Sequence, residues 1–214
     1  LTEAHFAVAS VQAAAQRTMP PEALKAAIVS LATGETAPLD ELAQSLTRAG
    51  YERCVQVEGT GQFSIRGGIL DVFPPQAEHP YRVEFWDDEI DSISTFDVGS
   101  QRRLEQCECL RCLPCMESIP ALAKGGAAGL AKAVLALTST RRKKQHADLQ
   151  TNLERDAERL RETGSLPAAD KYMPLIYPEM ATAFDYLPEN AIVIIADTPS
   201  LRDAVRDFHA RVDH

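Results

Sequence analysis

The sequence predicts an α/β fold that carries a compact, β-rich α+β insert. Three observations lead to this class. Helix and strand signals alternate at the beginning of the chain and return near its end. Between them, residues 62–96 alternate polar and apolar side chains with a period near two, as half-buried strands do. Residues 191–196 form a continuous apolar run, which predicts a buried strand of the parallel-sheet type.

Short elements are predicted for the first part of the chain. Ser10 is a suitable N-cap for a helix over residues 11–16, and Pro20-Pro21 opens a second helix. A longer helix over residues 38–49 has acidic residues in its first turn and Gly50 after its end. Strands are predicted at residues 5–9, 28–31 and 51–57.

Two breaks divide the β-rich region. Gly67-Gly68 interrupts a strand, which indicates either a bulge or a close backbone approach. Asp87-Asp88 predicts a hairpin turn between two strands.

The composition changes after Pro114. Helical segments are predicted at residues 121–140, 148–162 (ended by Gly164) and 198–211, with a loop over residues 166–180. Residues 1–28 and 115–214 are therefore assigned to one α/β domain, and residues 29–114 to the insert.

Bulk composition narrows the function. The chain has 214 residues, of which 45% are hydrophobic and 25% charged, as in ordinary globular proteins. Its net charge of -9 argues against binding nucleic acid mainly through phosphates. The odd count of five cysteines and the lack of a signal peptide or a membrane-length apolar run predict a cytoplasmic protein without membrane contact. Because the chain begins at Leu1, we expect it to be a piece of a longer protein.

The residue pattern of the insert predicts a protein-binding surface. Strand alternation points Tyr81, Val83 and Phe85 to the core, and Arg82, Glu84 and Trp86 to the other side. The same alternation points Arg66 outward. If the strands are neighbours, Arg66, Arg82 and Trp86 form one patch, and exposed aromatic and arginine side chains are typical of binding hot spots. In the alternative interpretation, a helix of the same chain covers Trp86, and the arginines pair with Glu84, Asp87 or Asp88.

Several motifs resemble one family. They include Arg66-Gly-Gly-Ile-Leu-Asp-Val-Phe-Pro74, Pro80-Tyr-Arg-Val-Glu-Phe85, Asp88-Glu-Ile-Asp-Ser-Ile93 and Asp97-Val-Gly-Ser-Gln-Arg102. Together they resemble the N-terminal, UvrB-like region of the bacterial transcription-repair coupling factors (Mfd). The resemblance covers most of the chain and is weakest over residues 121–161. The last motif resembles the coupling factors more than UvrB.

This resemblance implies a function. The insert corresponds to the domain with which both families bind UvrA, and the matching contact positions are Arg66, Arg82 and Trp86. The family more often has phenylalanine at the third position. The resemblance also implies that RNA polymerase and DNA are contacted by other parts of the full-length protein, an ATP-driven DNA translocase. The protein's own C-terminal region is expected to mask the UvrA-binding surface.

The flanking segments resemble a degenerate helicase-like (RecA-like) domain. A working domain needs a Gly-Lys-Ser/Thr phosphate loop, which this sequence lacks. It also needs an acidic pair after a buried strand, where this chain has Ala196-Asp197, or Asp197-Thr198 with a shift of one residue. We therefore expect no catalytic residue, no cofactor and no ATP hydrolysis from this chain.

Two rival interpretations remain open. In the first, the chain belongs to UvrB or to another ATP-dependent DNA-repair helicase. In the second, Cys107, Cys109, Cys112 and Cys115 bind Zn²⁺, although the first two fall in a predicted strand rather than in a turn. The basic run at residues 141–144 is interpreted as a solvated helix face.

Overall fold

The computed structural model describes residues 6–139, 147–196 and 198–212. The predictions for His5, for the basic run at residues 141–144 and for Asp197 lie outside these ranges. Backbone contacts divide the chain into two units, one formed by residues 1–21 and 179–214 and the other by residues 22–178. The domain boundaries drawn from the sequence remain a prediction.

The described ranges contain both helices and β-sheets, which confirms the mixed α/β class. The α-helices are α1 (Val11–Ala15), α2 (Pro21–Ala27), α3 (Leu39–Arg48), α4 (Gly126–Ser139), α5 (Ala147–Thr163), α6 (Met173–Ile176) and α7 (Thr198–Val212). The strands are β1 (Val29–Ala32), β2 (Glu52–Arg53), β3 (Gln62–Arg66), β4 (Ile69–Val72), β5 (Tyr81–Trp86), β6 (Glu89–Phe96), β7 (Arg103–Cys107) and β8 (Cys109–Cys112). None of the described helices combines the length and the apolar character needed to cross a membrane.

A six-stranded sheet dominates the unit of residues 22–178. Its strands follow chain order from β2 to β7; β2 and β3 are parallel, and each later pair is antiparallel. Strands β1 and β8 form a separate antiparallel pair. The core lies between one face of the large sheet and α3, where Leu42 and Leu46 join Phe63, Val83 and Ile93. The opposite face of the sheet carries mainly polar side chains together with Phe96 and Trp86.

The hairpins fix the register of this sheet. Gly67 and Gly68 form the β3–β4 loop, because Arg66 pairs directly with Ile69. Gly67 has a φ of 58°, and a Cβ on Gly68 would lie 3.0 Å from the carbonyl oxygen of Phe85. The predicted close approach is confirmed, and the predicted bulge is wrong. The predicted Asp87-Asp88 turn is also confirmed, with Asp87 at a φ of 59°.

The strand predicted at residues 51–57 is mostly wrong, since β2 contains only Glu52 and Arg53. The reason lies in the following turn. There the side-chain oxygen of Gln62 accepts hydrogen bonds from the backbone N–H groups of Glu58 and Gly59 at 2.9 and 3.0 Å. These bonds fix a turn directly after the predicted strand.

Helix ends in both units follow the sequence signals. The hydroxyl of Ser10 accepts a hydrogen bond from the backbone N–H of Ala13 and so caps α1. Gly50 follows α3 at a φ of 91°, and Gly164 follows α5 at a φ of 67°. The predicted loop over residues 166–180 instead contains a short 3-10 helix and α6.

Two predicted strands of the other unit are wrong. Residues 6–9 have no regular structure. Residues 191–196 also form no strand, and Ile192 and Ile194 are 87% and 86% exposed. A strand of the parallel-sheet type needs neighbours on both sides. The described residues of this unit contribute helices and one isolated bridge, between Thr18 and Ala181, so the apolar run has no sheet to join.

Candidate protein-binding site

The outer face of the six-stranded sheet carries a row of polar residues. Register places Asp71 beside Ser64 on one side and beside Arg82 on the other. Arg82 is in turn paired with Ser94. The row follows from alternation, because the next residue on each strand, such as Leu70 or Val83, faces the core.

Asp71 joins the two predicted arginines. Its side chain is 2% exposed, and its Oδ2 atom accepts a hydrogen bond from Nη2 of Arg66 at 3.0 Å. Arg82 donates from Nε to Oδ1 at 2.7 Å and from Nη2 to Oδ2 at 2.8 Å. The alternative in which the arginines pair with Glu84, Asp87 or Asp88 is therefore wrong. Glu84 instead accepts a hydrogen bond from Arg103 at 2.7 Å.

Arg82 is held on several sides. Its guanidinium lies 4.5 Å from the ring centroid of Phe96, and its Nη2 atom also donates to Oε1 of Gln101 at 3.1 Å. The side chain is only 18% exposed. Hydrogen bonding to the Asp71 carboxylate raises the pKa of Arg82, although partial burial acts in the opposite direction. Arg82 is thus an ordered, mostly buried cation on the outer face of the six-stranded sheet.

Arg66 is much less restrained. Its side chain is 51% exposed and makes one ion pair, with Asp71. Most of its five N–H donors therefore have no partner among the described residues. A guanidinium in this state can still take a carboxylate in a two-point fork.

Trp86 projects from the end of β5. It is 82% exposed, so no described helix covers it, contrary to the alternative raised from the sequence. The adjoining turn is fixed from behind, because the backbone N–H of Ala37 donates to the carbonyl of Asp88 at 2.8 Å. Trp86 lies on the same side of β5 as Arg82, with Glu84 between them. The indole is therefore an exposed apolar group on a rigid hairpin.

Sequence reasoning missed three residues that hold this face together, namely Asp71, Phe96 and Gln101. A signal existed for Asp71. It lies between the core residues Leu70 and Val72, and alternation therefore places it on the side of the arginines. The contact of Phe96 depends on the β5–β6 register, and that of Gln101 on the path of the loop over residues 97–102; periodicity within one strand gives neither.

Comparison with known proteins places this geometry in a family. Residues 29–117 match the family model of the UvrB interaction domain. The chain is 34% identical over 208 residues to the transcription-repair-coupling factor of Bacillus subtilis, which covers 94% of this chain and 17% of that protein. The chain resembles the transcription-repair-coupling factors over most of its length. The corresponding protein of Escherichia coli is 34% identical over 200 residues, or 91% of this chain and 16% of the relative. That of Haemophilus influenzae is 31% identical over 179 residues, or 84% and 15%.

The resemblance covers a part of these relatives. The chain spans between 15% and 17% of the length of the three proteins named above. The UvrB interaction domain match does include every residue of the Arg66, Arg82 and Trp86 patch.

The geometry gives the zinc hypothesis no support. Within the described ranges, no group of three or more His, Cys, Asp or Glu side chains is placed to hold a metal ion. Cys109 is exposed, whereas Cys112 is buried. Burial raises the pKa of the Cys112 thiol to about 12 and that of Cys115 to about 11, while both interact with the Tyr51 hydroxyl. At neutral pH these two thiols are therefore protonated.

Proposed function

We propose that this chain is a non-catalytic recruitment module of transcription-coupled nucleotide excision repair, which binds UvrA. Binding would use a docking face composed of Arg66, Arg82 and Trp86. The observation that carries the proposal is the exposed indole of Trp86 on the same side of β5 as Arg82, which shares the buried carboxylate of Asp71 with Arg66. Support also comes from the match of residues 29–117 to the UvrB interaction domain.

Each residue of the docking face has a separate role in binding. Trp86 enters an apolar pocket of the partner, as buried aromatic anchors do at hot spots. Arg66 takes a carboxylate through its free donors. Arg82 is already ordered, so little side-chain entropy is lost when it contacts the partner. The partner surface should therefore combine an apolar pocket with at least one acidic group.

In the full-length protein, this module would bring UvrA to a stalled RNA polymerase. We propose that contacts with RNA polymerase and DNA, and the ATP-driven motor, lie in other parts of the protein. The C-terminal region would mask the docking face until it is needed. The flanking segments would form a degenerate helicase-like domain without ATPase activity, because the sequence lacks the Gly-Lys-Ser/Thr phosphate loop.

Binding of purified UvrA to this chain tests the proposal. The variants are Arg66→Ala, Arg82→Ala and Trp86→Ala, with Arg53→Ala and Val55→Ala as exposed controls on the same unit. Loss of the Trp86 anchor should cost at least ~2 kcal/mol, or about 30-fold in Kd. The controls should bind like wild type. Absence of wild-type binding, or unchanged binding by all three docking-face variants, would overturn the proposal.

The single tryptophan provides a second measurement. Its fluorescence should have the red-shifted emission of a solvent-exposed indole in the free chain and should shift to the blue when UvrA covers it. Binding without any change in emission would exclude Trp86 from the interface.

A further inference from the structure

Arg82 has two donors that the chain leaves unused. Its Nε–H and one Nη2 hydrogen go to Asp71, and the second Nη2 hydrogen goes to Oε1 of Gln101 at 3.1 Å. Arginine has five N–H donors in one plane. The two on Nη1 therefore remain, and they have no partner among the residues that the structure describes. Arg82 thus offers a defined edge of its guanidinium.

Gln101 is itself held at several points. Its Nε2 atom donates to the carbonyl of Val98 at 2.8 Å, and its backbone N–H donates to the carbonyl of Asp97 at 2.8 Å. The loop closes through a backbone hydrogen bond from Asp97 to the carbonyl of Arg102 at 3.0 Å. The amide oxygen of Gln101 is therefore presented to Arg82 by a closed loop rather than by a free side chain.

The backbone of Gln101 is in an unfavourable conformation, with a φ of 59°. Glycine occupies this region without steric cost, and asparagine occupies it more readily than glutamine does. If residue 101 served only to close the loop, glycine or asparagine would fit its backbone conformation better than glutamine. The side chain of Gln101 makes two hydrogen bonds that a glycine could not make. Its oxygen accepts one from Arg82, and its amide nitrogen donates one to the carbonyl of Val98.

We propose that Gln101 is a positioning residue that fixes the plane of the Arg82 guanidinium, so that its Nη1 edge meets the partner. The proposal rests on the proposed function, because it assigns to Gln101 a role in the docking face. Asp71 alone fixes the Nε side of the group, and Gln101 occupies the Nη2 hydrogen that would otherwise compete for the partner's acceptor. The two hydrogens on Nη1 point in different directions, so they fit two separate acceptor oxygens of the partner rather than one side-on carboxylate.

The most informative variant is Gln101→Gly. Glycine relieves the backbone strain and removes the side chain. The chain should therefore stay folded, while Arg82 loses its hydrogen bond to Gln101 and keeps those to Asp71. We expect UvrA binding to weaken about two- to tenfold, as for the loss of one ordinary net hydrogen bond. The matched control is Gln106→Ala, an exposed glutamine of β7 that faces Ser94, and it should bind like wild type.

A double-mutant cycle distinguishes positioning from a direct or purely structural role. In the Arg82→Ala background, Gln101→Gly should cause no further loss of UvrA binding. Equal losses in both backgrounds would overturn the proposal, as would wild-type affinity for Gln101→Gly itself. Thermal unfolding of each variant identifies any that fail to fold.

The NMR signals of the Arg82 guanidinium in the free chain provide a test that does not depend on UvrA binding. Separate Nη1 and Nη2 signals in wild type should merge through faster rotation in Gln101→Gly. If wild type does not bind UvrA, the proposed function fails while this arm still shows whether Gln101 holds Arg82. Unchanged guanidinium signals in the variant would overturn the positioning role whatever the affinity.

Discussion

Asp71 lies opposite Arg82 across β4 and β5, and its two carboxylate oxygens accept hydrogen bonds from that arginine at 2.7 and 2.8 Å. The same carboxylate also binds Arg66. One buried acid therefore orders both arginines of the docking face. Stability and recognition consequently share a residue, and a variant of Arg82 must be checked for folding before its binding is interpreted.

The first prediction concerns the charge of Asp71. Asp71→Asn keeps the shape of the side chain but leaves two cations without their counter-ion. Because Arg82 is mostly buried, we expect the free energy of unfolding to fall by about 3 kcal/mol, near the lower end for a broken buried pair. Urea denaturation measures it, with Asp91→Asn as an exposed control on β6. A loss under about 1 kcal/mol would show that the pair contributes little.

The second prediction separates Trp86 from the core. Trp86→Ala should change the free energy of unfolding by no more than about 0.5 kcal/mol, because the indole is exposed. Phe63→Ala, at a fully buried aromatic, should cost about 3–5 kcal/mol. Circular dichroism must follow unfolding, since Trp86→Ala removes the only tryptophan. A large loss for Trp86→Ala would mean that the indole is packed against the chain.

The third prediction concerns Ser64 and Ser94, which flank the Asp71–Arg82 pair. Their hydroxyl oxygens are buried and have no hydrogen-bond partner among the described residues. Since an unpartnered buried hydroxyl is destabilising, Ser64→Ala and Ser94→Ala should leave stability unchanged or raise it by up to about 1 kcal/mol. Ser118→Ala is the matched control.

Ser118 is also buried, but its hydroxyl donates to Asp170 at 2.6 Å. Thermal unfolding should therefore show a loss of about 1–2 kcal/mol for Ser118→Ala. Similar losses at all three serines would indicate that water satisfies Ser64 and Ser94.

The fourth prediction is a loss of stability in base. Burial raises the pKa of Cys112 to about 12 and that of Cys115 to about 11, above the value of about 8.5 for a free thiol. Thiols with raised pKa values in the folded state contribute stability that is fully present below about pH 8.5 and is lost as the pH rises through the folded values. The free energy of unfolding should thus decrease between about pH 8 and pH 10.

Replacement of both buried thiols by alanine tests the cause. Because alanine does not titrate, the Cys112→Ala/Cys115→Ala variant should lose less stability over the same pH interval, whatever its starting value. Urea denaturation at the two pH values gives the comparison. An identical decrease in wild type and variant would assign the pH dependence to other groups.

Local signals predicted much of the fold. The caps at Ser10, Gly50 and Gly164 are backbone requirements that a few neighbouring residues express, and they appear where the sequence places them. Period-two alternation likewise predicted the outward side of Arg82 and Trp86. The role of these residues in binding UvrA remains a prediction.

The features that the sequence did not predict depend on contacts between residues that are distant in the chain or on the geometry of a turn. The bidentate pair of Asp71 with Arg82 depends on which strands are neighbours and in what register, which alternation within one strand does not contain. The run at residues 191–196 has the composition of a buried strand, but burial needs partner strands that periodicity cannot supply. At residues 58–59, the side chain of Gln62 accepts the backbone hydrogen bonds, and only the turn geometry reveals this contact.

The exposed run at residues 191–196 also affects how the chain behaves in concentrated solution. Its six residues contain four β-branched side chains and neither charge nor proline. Such segments stack with identical copies of themselves in cross-β assemblies. The net charge of -9 opposes this by repulsion between molecules. Solubility is therefore a balance between strand pairing and repulsion, and added salt, which screens the repulsion, shifts it towards aggregation.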